Sequence, residues 1–265
     1  MTPKFSNPPI VEFVLGVQFA PLPKLSAAHF GLLWEKLGQD IWDSPGDGPV
    51  IQDQFETFDR PRWSIQNALA WRLEPGSSIG RFTLRHRDKD TLIQFQNSRL
   101  HLNWRKSDRL KPSYHALVGE FRTTIAILCE FATNNFLGEI AVNQWELTYV
   151  DAFPRNEYWQ TPADWASFLP GLFGKLFPFE EKGMMLEHRA AEWSFEIGPK
   201  KARLHVTAQP GKWGDDPRDA LIVTWTARGP ASNIDEIFQG FELGHENSML
   251  AFLASTNEQT KNRWI

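Results

Sequence analysis

The sequence predicts an α+β protein built from two repeated units of strand, helix, antiparallel strands and long helix. Three observations carry this prediction. A long stretch of helical periodicity lies in the middle of the chain, alternating apolar segments stand on both sides of it, and the elements follow the same order in each half. In each unit we expect an antiparallel sheet that helices cover on one face.

The central helix is predicted over Ser113–Leu137. Pro112 precedes it, Ser113 is a suitable N-cap, and Gly138 stands just past its end. Its apolar residues recur at steps of three and four and therefore form one stripe. They are Tyr114, Leu117, Val118, Phe121, Ile125, Leu128 and Ala132.

The first unit opens with a strand at Val11–Phe19, where apolar residues alternate and indicate one buried face. A helix capped by Ser26 follows, with the stripe Phe30, Leu33, Trp34, Leu37 and Ile41. Connections of hairpin length then join three predicted strands. These strands are Arg81–His86, Leu92–Gln96 and Leu100–Arg105.

The stretch between this helix and these strands is less clear. Asp43–Asp53 is rich in Pro, Gly and Asp and is predicted to be a loop. Gln54–Leu73 has apolar residues in mixed spacing. We favour strand over helix there, because Pro61 interrupts it and aromatic residues dominate.

The second unit repeats this order. Trp145–Phe153 matches Val11–Phe19 at a constant offset of 134 residues. Thr161-Pro162-Ala163-Asp164 is a strong helix start, and it is followed by the stripe Trp165, Phe168, Leu169 and Leu172. The remaining predicted elements are strands Glu192–Ile197, Arg203–Thr207 and Leu221–Thr226, and a last helix that opens at Ser232 and contains Ile234, Ile237, Phe238, Phe241, Met249, Leu250 and Leu253.

We interpret this order as an internal duplication of about 130 residues. The predicted units are residues 1–138 and residues 139–265, packed as one pseudo-symmetric body. Identity between the halves is low, so chance similarity is the alternative for any single element, and the ordered set favours duplication. How the units dock, and whether their sheets join, stays open.

Composition limits the class of protein. A net charge of −4 argues against a chain that is basic throughout, although not against a local basic face. Cys129 is the only cysteine, so no internal disulfide is possible and a reducing cytoplasm is the expected compartment. The N-terminus lacks an apolar signal region, and no window approaches 18 consecutive apolar residues. We expect a soluble cytoplasmic protein without a membrane partner.

The common catalytic motifs are absent. The sequence has no His-Glu-x-x-His, no Gly-x-Ser-x-Gly, no P-loop and no Gly-x-Gly-x-x-Gly. We therefore name no catalytic residue and no cofactor, and the sequence favours a non-enzyme without deciding the question. A metal site from the distant His101, His188 and His205 is an alternative without positive support. Cys129, beside the apolar stripe, is interpreted as a buried and inert thiol.

Two acids occupy equivalent places in the predicted units. Glu12 and Glu146 each point away from the apolar face of their strand. A matched pair of edge or interface residues is the favoured interpretation, and an acid–base pair is the alternative. His245, within the last helix, is interpreted as structural or partner-facing.

The clearest candidate for binding is a basic sheet face. Between Arg81 and Lys111 the chain carries nine Lys or Arg residues against three Asp residues. Strand alternation places one set of polar residues opposite the core: Arg81, Arg85, Gln94, Gln96, His101, Asn103 and Arg105. Such a face suits an anion or an acidic partner, and a solvated face is the alternative. The absence of evident exposed aromatic residues disfavours single-stranded nucleic acid.

Short motifs extend over the whole chain and resemble those of one protein family. They are Asn7-Pro8-Pro9-Ile10-Val11-Glu12, Leu147-Thr148-Tyr149-Val150, and the C-terminal set His245, Phe252, Thr256 and Trp264. The chain resembles a sporadically distributed family of bacterial proteins with no established activity. The resemblance implies an accessory role, for example in a phage-defence or toxin–antitoxin operon, and assigns no residue.

The first functional hypothesis is therefore a non-enzymatic protein that binds another protein, either an operon neighbour or a second copy of itself. The second is nucleic-acid binding by the basic face between residues 81 and 111. The third is a small-ligand-binding protein or enzyme, with its cleft between helix and sheet.

Overall fold

The computed structural model describes residues 5–58, 80–109, 111–174, 183–214 and 217–265. Within these ranges the chain forms nine strands and five α-helices. The strands are β1 (Ile10–Phe19), β2 (Gly46–Gly48), β3 (Arg81–Arg85), β4 (Thr91–Gln96), β5 (Arg99–Arg105), β6 (Val142–Pro154), β7 (Ala191–Ile197), β8 (Ala202–Trp213) and β9 (Arg218–Pro230). The helices are α1 (Ala27–Leu37), α2 (Tyr114–Asn134), α3 (Trp165–Phe168), α4 (Ile234–Ser255) and α5 (Glu258–Lys261).

All nine strands belong to one antiparallel sheet in the order β2-β3-β4-β5-β1-β6-β9-β8-β7. The α+β class predicted from the sequence is confirmed. β1 and β6 pair at the centre, with Leu15 opposite Leu147 and Gly16 opposite Glu146. The strands of the two halves thus form a single sheet, which the sequence had left open.

The strand order is symmetric about this central pair. Outward from β1 come β5, β4 and β3, and outward from β6 come β9, β8 and β7. Each half therefore places its elements in the same spatial order. The duplication itself, with its boundary at residue 138, stays a prediction, because matching topology can arise without common descent.

One face of the sheet carries the apolar core. Inward-facing residues of β1 such as Leu15 and Val17 are fully buried. Helices α2 and α4 cover this face and also contact each other, with the rings of Phe121 and Phe241 5.2 Å apart. Ser113 caps α2 by accepting the amide N–H of Ala116, as predicted.

Helix α4 lies very close to the sheet at two glycines. A Cβ atom at Gly240 would stand 2.3 Å from Nε1 of Trp145, and one at Gly244 would stand 2.9 Å from Cζ3 of the same ring. Because the Trp145 indole on β6 fills this space, glycine is required at these two positions of α4.

Three boundaries differ from the prediction. The helix expected after Thr161 is only a 3₁₀ turn followed by the four-residue α3. Pro170 explains the early end, since proline disfavours helical backbone in the residue before it. The predicted loop after Asp43 contains the short edge strand β2, and residues 54–58 carry no regular strand, while the rest of Gln54–Leu73 lies outside the described residues.

Replacing Gly240 tests the close approach of α4 to the sheet. We expect Gly240→Ala to lower the free energy of unfolding by about 1–3 kcal/mol, because the added methyl group overlaps the Trp145 ring. The matched control is Gly119→Ala on α2, where an added Cβ has no neighbour within 4 Å. It should be neutral or stabilising by up to about 1 kcal/mol. Urea denaturation measures both, and equal effects would contradict the packing.

Candidate functional site

The seven residues of the predicted binding face do not form an open surface. Gln94, Gln96, His101 and Asn103 are buried, Arg81 is half-buried, and only Arg85 and Arg105 are exposed. The alternative of a solvated face therefore does not hold for the four buried residues. Gln94 donates to Asn103 within the face, Asn103 donates to Glu12 of β1, and Gln96 binds a segment earlier in the chain.

An extended segment, residues 50–58, crosses this polar face, and we call it the strap. Glutamine side chains of the sheet bind its backbone in both directions. Gln96 accepts the amide N–H of Ile51 at 2.9 Å and donates to the Ile51 carbonyl at 2.7 Å. Gln18 accepts the N–H of Gln54 at 3.0 Å and donates to its carbonyl at 2.8 Å. The backbone of the strap thus supplies hydrogen-bond partners for these buried glutamine amides, as the backbone of a neighbouring strand does for another strand.

The acid of the strap neutralises the basic residues at its far end. The carboxylate of Glu56 lies 2.5 Å from Nη1 of Arg203 and 2.5 Å from Nε2 of His205. Nε of Arg228 is 3.7 Å away, and Gln144 accepts the Glu56 N–H at 2.9 Å. Burial raises the pKa of Glu56, but the hydrogen bond and charge of His205, with Arg228 and Arg203, outweigh it and lower the pKa.

The matched acids Glu12 and Glu146 do not form a pair. Glu12 accepts a hydrogen bond from Nδ2 of Asn103, whereas Glu146 lies 3.4 Å from Nε of Arg228. Glu146 stands opposite Gly16, four residues along β1 from Glu12, which is about 13 Å. The two backbone positions are therefore well apart and each carboxylate binds a different residue, which gives no support to the acid–base alternative.

The exposed arginines line a polar cavity of about 530 Å3. Three cations and three acids surround it: Arg85, Arg105 and Lys106, with Glu12, Asp90 and Asp108. Equal numbers of opposite charges give little attraction for an anion. The nucleic-acid hypothesis gains no support from this cavity.

The other sequence candidates lie apart from one another. His101 and His205 are buried on the polar face, whereas His188 is exposed. Within the described ranges, no group of three His, Cys, Asp or Glu residues has the spacing of a metal site. Burial raises the pKa of the Cys129 thiol, which makes it a poor nucleophile at neutral pH.

Another cavity lies on the opposite, helix-covered side of the sheet, and we call it the helix–sheet cavity. Its volume is about 240 Å3. Strand β1 and its lead-in, the start of α2, strands β6 and β9, and helix α4 contribute its walls. The apolar part of the lining includes Phe5, Ile10, Phe13, Leu117, Trp225 and Phe252.

A buried acid faces this apolar lining. Asp151 stands on β6 in phase with Tyr149 and Phe153, and it is 4% exposed. Its Oδ2 accepts a hydrogen bond of 2.8 Å from Nε1 of Trp225. Among the described residues, no Lys, Arg or His nitrogen lies within 4.0 Å of the carboxylate. Burial raises the pKa of Asp151 to about 7.

A second buried polar group in the lining has no partner. Ser248 on α4 is 2% exposed. Its Oγ makes no hydrogen bond within the described part of the chain. Buried hydroxyl groups are nearly always paired, so the Ser248 hydroxyl on this cavity wall is available for a hydrogen bond to a ligand.

The remaining polar residues of the lining are already paired. The hydroxyl group of Tyr149 lies 2.6 Å from Nδ1 of His245, and the ring of Tyr114 stacks on His245 at 4.0 Å. The Tyr114 hydroxyl donates to Glu242 at 3.1 Å. Burial lowers the pKa of His245 and raises the pKa values of both tyrosines, so all three groups are neutral at pH 7. They form part of the wall around Asp151, which has one hydrogen bond, and Ser248, which has none among the described residues.

Sequence reasoning missed this cavity, although Asp151 carried a usable indication. It is the only charged residue in the inward phase of Trp145–Phe153. An acid at a core position requires a partner or a function. His245 was singled out only as structural or partner-facing, and nothing in the spacing connected it with Tyr114 or Tyr149.

Comparison with known proteins gives no further guidance. No family model matches the chain, and no curated protein matches it at a significant level. The resemblance to a bacterial family therefore stays a prediction. In the described part of the chain, no helix is both long and apolar enough to span a bilayer.

Removing the charge of Glu56 tests the strap. We expect Glu56→Gln to lower the free energy of unfolding by about 3 kcal/mol, because it leaves the buried Arg203 without its anion, whereas Arg228 keeps Glu146. The control is Glu130→Gln, which breaks an exposed ion pair with Lys36 and should change little. Chemical denaturation measures both, and equal small effects would show that the strap does not hold the polar face.

The buried acid predicts a pH dependence of stability. Because folding raises the pKa of Asp151 from 3.8 to about 7, the folded state binds one more proton than the unfolded state between these values. As the pH rises through this window, the free energy of unfolding of the wild type, measured relative to that of Asp151→Asn, should fall by about 1.4 kcal/mol per pH unit. Above the window it should level off. Denaturation of both proteins from pH 4.5 to 8 measures the difference, and a constant difference would contradict the raised pKa.

Proposed function

We propose that this protein binds a small molecule in the helix–sheet cavity. The observation that carries the proposal is a cavity with apolar walls and two buried polar groups, Asp151 and Ser248, that the described residues leave incompletely paired. Ligand sites are typically concave and apolar with a few placed polar groups. A carboxyl group with a strongly shifted pKa is also more frequent at functional sites than elsewhere.

The size of the cavity limits the ligand. About 240 Å3 corresponds to roughly eight water molecules at ~30 Å3 each, so the ligand has about that many non-hydrogen atoms in the cavity. This supports the third functional hypothesis, a small-ligand site between helix and sheet. His245 and Tyr149 are bound to each other, and binding is the activity that we propose for this cavity.

Protein binding remains a separate proposal, as do the operon role and the cytoplasmic location. On the surface that the sequence assigned to a partner, Gln96 binds the strap, and the buried Gln94 and Asn103 bind each other. A protein partner would therefore have to use another surface. The geometry favours the helix–sheet cavity over this alternative.

Filling the cavity tests the proposal. Fragments of about eight to twelve non-hydrogen atoms are screened by ligand-observed NMR, in the size range that the cavity sets. Ser248→Met places a flexible side chain in the cavity and should weaken the binding of wild-type hits at least tenfold. Leu250→Met changes an exposed residue of the same helix and should bind as the wild type does.

Two results would contradict the proposal. One is a screen without hits against the wild-type protein at millimolar fragment concentration. The other is equal binding by wild type and Ser248→Met, since it would place the fragments elsewhere. Near-UV circular dichroism checks that both variants keep the packing of their aromatic side chains.

A further inference from the structure

The geometry points to an organic ammonium ion as the ligand of the helix–sheet cavity, with its charged group at Asp151 and a small apolar body among the surrounding rings. This inference rests on the proposed function and adds the chemical class of the ligand. Three features of the cavity support it: an acid that forms no ion pair, walls rich in aromatic rings, and a hydroxyl group without a partner among the described residues.

The acid forms no ion pair inside the described part of the protein. Asp151 receives one hydrogen bond, from Trp225, and that bond occupies only Oδ2. Lys111 lines the same cavity and its charge lowers the pKa of Asp151, but its Nζ stands over the ring of Trp104, at 5.9 Å from the ring centroid, and does not pair with the carboxylate. Buried carboxylates are normally paired with a positive charge. A ligand ammonium group would supply both the charge and the missing donors.

The rings around the acid suit a cation with an apolar body. Phe13 stacks on Tyr149 at 4.5 Å, and Trp225 meets Phe252 edge to face at 6.1 Å. Aromatic faces attract ammonium groups, most strongly when water is excluded. The same rings would bury the hydrocarbon part of the ligand, which a metal ion or an inorganic cation does not have.

The hydroxyl group of Ser248 offers a further acceptor. Its Oγ lies on the lining of the same cavity without a partner among the described residues. A primary ammonium group has three N–H donors, so it can use more acceptors than one carboxylate oxygen. A carboxylate or phosphate ligand would instead place a second negative charge beside Asp151.

The surrounding groups determine how binding depends on pH. Lys111 precedes α2, Tyr114 lies on α2, Tyr149 lies on β6, and His245 lies on α4. The lead-in contributes Phe5 to the lining, β1 contributes Ile10, and β9 contributes Trp225. Burial lowers the pKa of His245, which disfavours its charged form. Asp151, with a pKa of about 7, must lose its proton to pair with the ligand. Affinity for an ammonium ion should therefore fall about tenfold per pH unit below pH 7 and level off above pH 8.

Isothermal titration calorimetry with matched probes tests the inference. Phenethylammonium and 2-phenylethanol have the same size and differ in charge. At pH 8 we expect wild type to bind phenethylammonium at least tenfold more tightly than the alcohol. Asp151→Asn should lose this preference and keep the alcohol, whereas Asp235→Asn, at an exposed acid of α4, should behave as wild type does.

Every other result counts against the inference. Equal or tighter binding of the alcohol by wild type overturns the ammonium class and leaves the cavity as a ligand site. If neither probe binds but fragments of other chemistry do, the ammonium class is overturned and the cavity remains a ligand site. If neither probe binds and the fragment screen gives no hits, the proposed ligand site is overturned as well. If Asp151→Asn fails to fold, the pH series on wild type decides, and constant affinity from pH 6 to 8 overturns the inference.

Discussion

The antiparallel pairing of β1 with β6 is the contact on which the rest of the molecule depends. It joins the strands of both halves into one sheet, with Leu15 opposite Leu147. Side chains alternate between the two faces of each strand, so this register decides what meets on either side. Phe13 and Tyr149 come together in the wall of the helix–sheet cavity, and Gln18 and Gln144 come together under the strap.

Buried polar groups on the two faces of the sheet are paired in different ways. On one face the glutamines, arginines and histidines bind the strap, whose backbone and Glu56 provide their partners. On the other face Asp151 and Ser248 stand in an apolar environment and are left incompletely paired by the described residues. Burying polar groups without partners costs free energy. Much of the first face is therefore paired within the chain, although Nε of Arg81, Arg99 and Arg228 has no hydrogen-bond partner among the described residues. The second face carries the proposed ligand site.

Local patterns were sufficient for most of the fold. Alternation predicted β1 and β6 because one face of each is buried, and capping residues such as Ser113 marked the helix starts. The short α3 was not predicted, although Pro170 was visible, because its stripe continues through Leu172. Leu172 is indeed buried, but it lies beyond the helix.

The binding surfaces depended on contacts that no local pattern contains. The pattern of its strand predicts a solvated Gln96, but in the structure the backbone of Ile51, 45 residues earlier, binds the Gln96 side chain. Asp151 was recognisable as an acid in an inward phase, but whether it forms an ion pair depends on where Lys111 and α4 lie. Long-range packing determines whether a polar residue is paired, and the alternation of residues within one strand does not.

Methyl NMR of the methionines tests the central claim most directly. Met249 lines the helix–sheet cavity, whereas Met184 and Met185 are exposed in another part of the chain. Protein labelled with ¹³C at its methionine methyl groups is titrated with phenethylammonium at pH 8. The account predicts a saturable shift of the Met249 signal while the signals of Met184 and Met185 stay in place. Shifts at the exposed methionines with Met249 unchanged would show that the cavity does not bind the ligand.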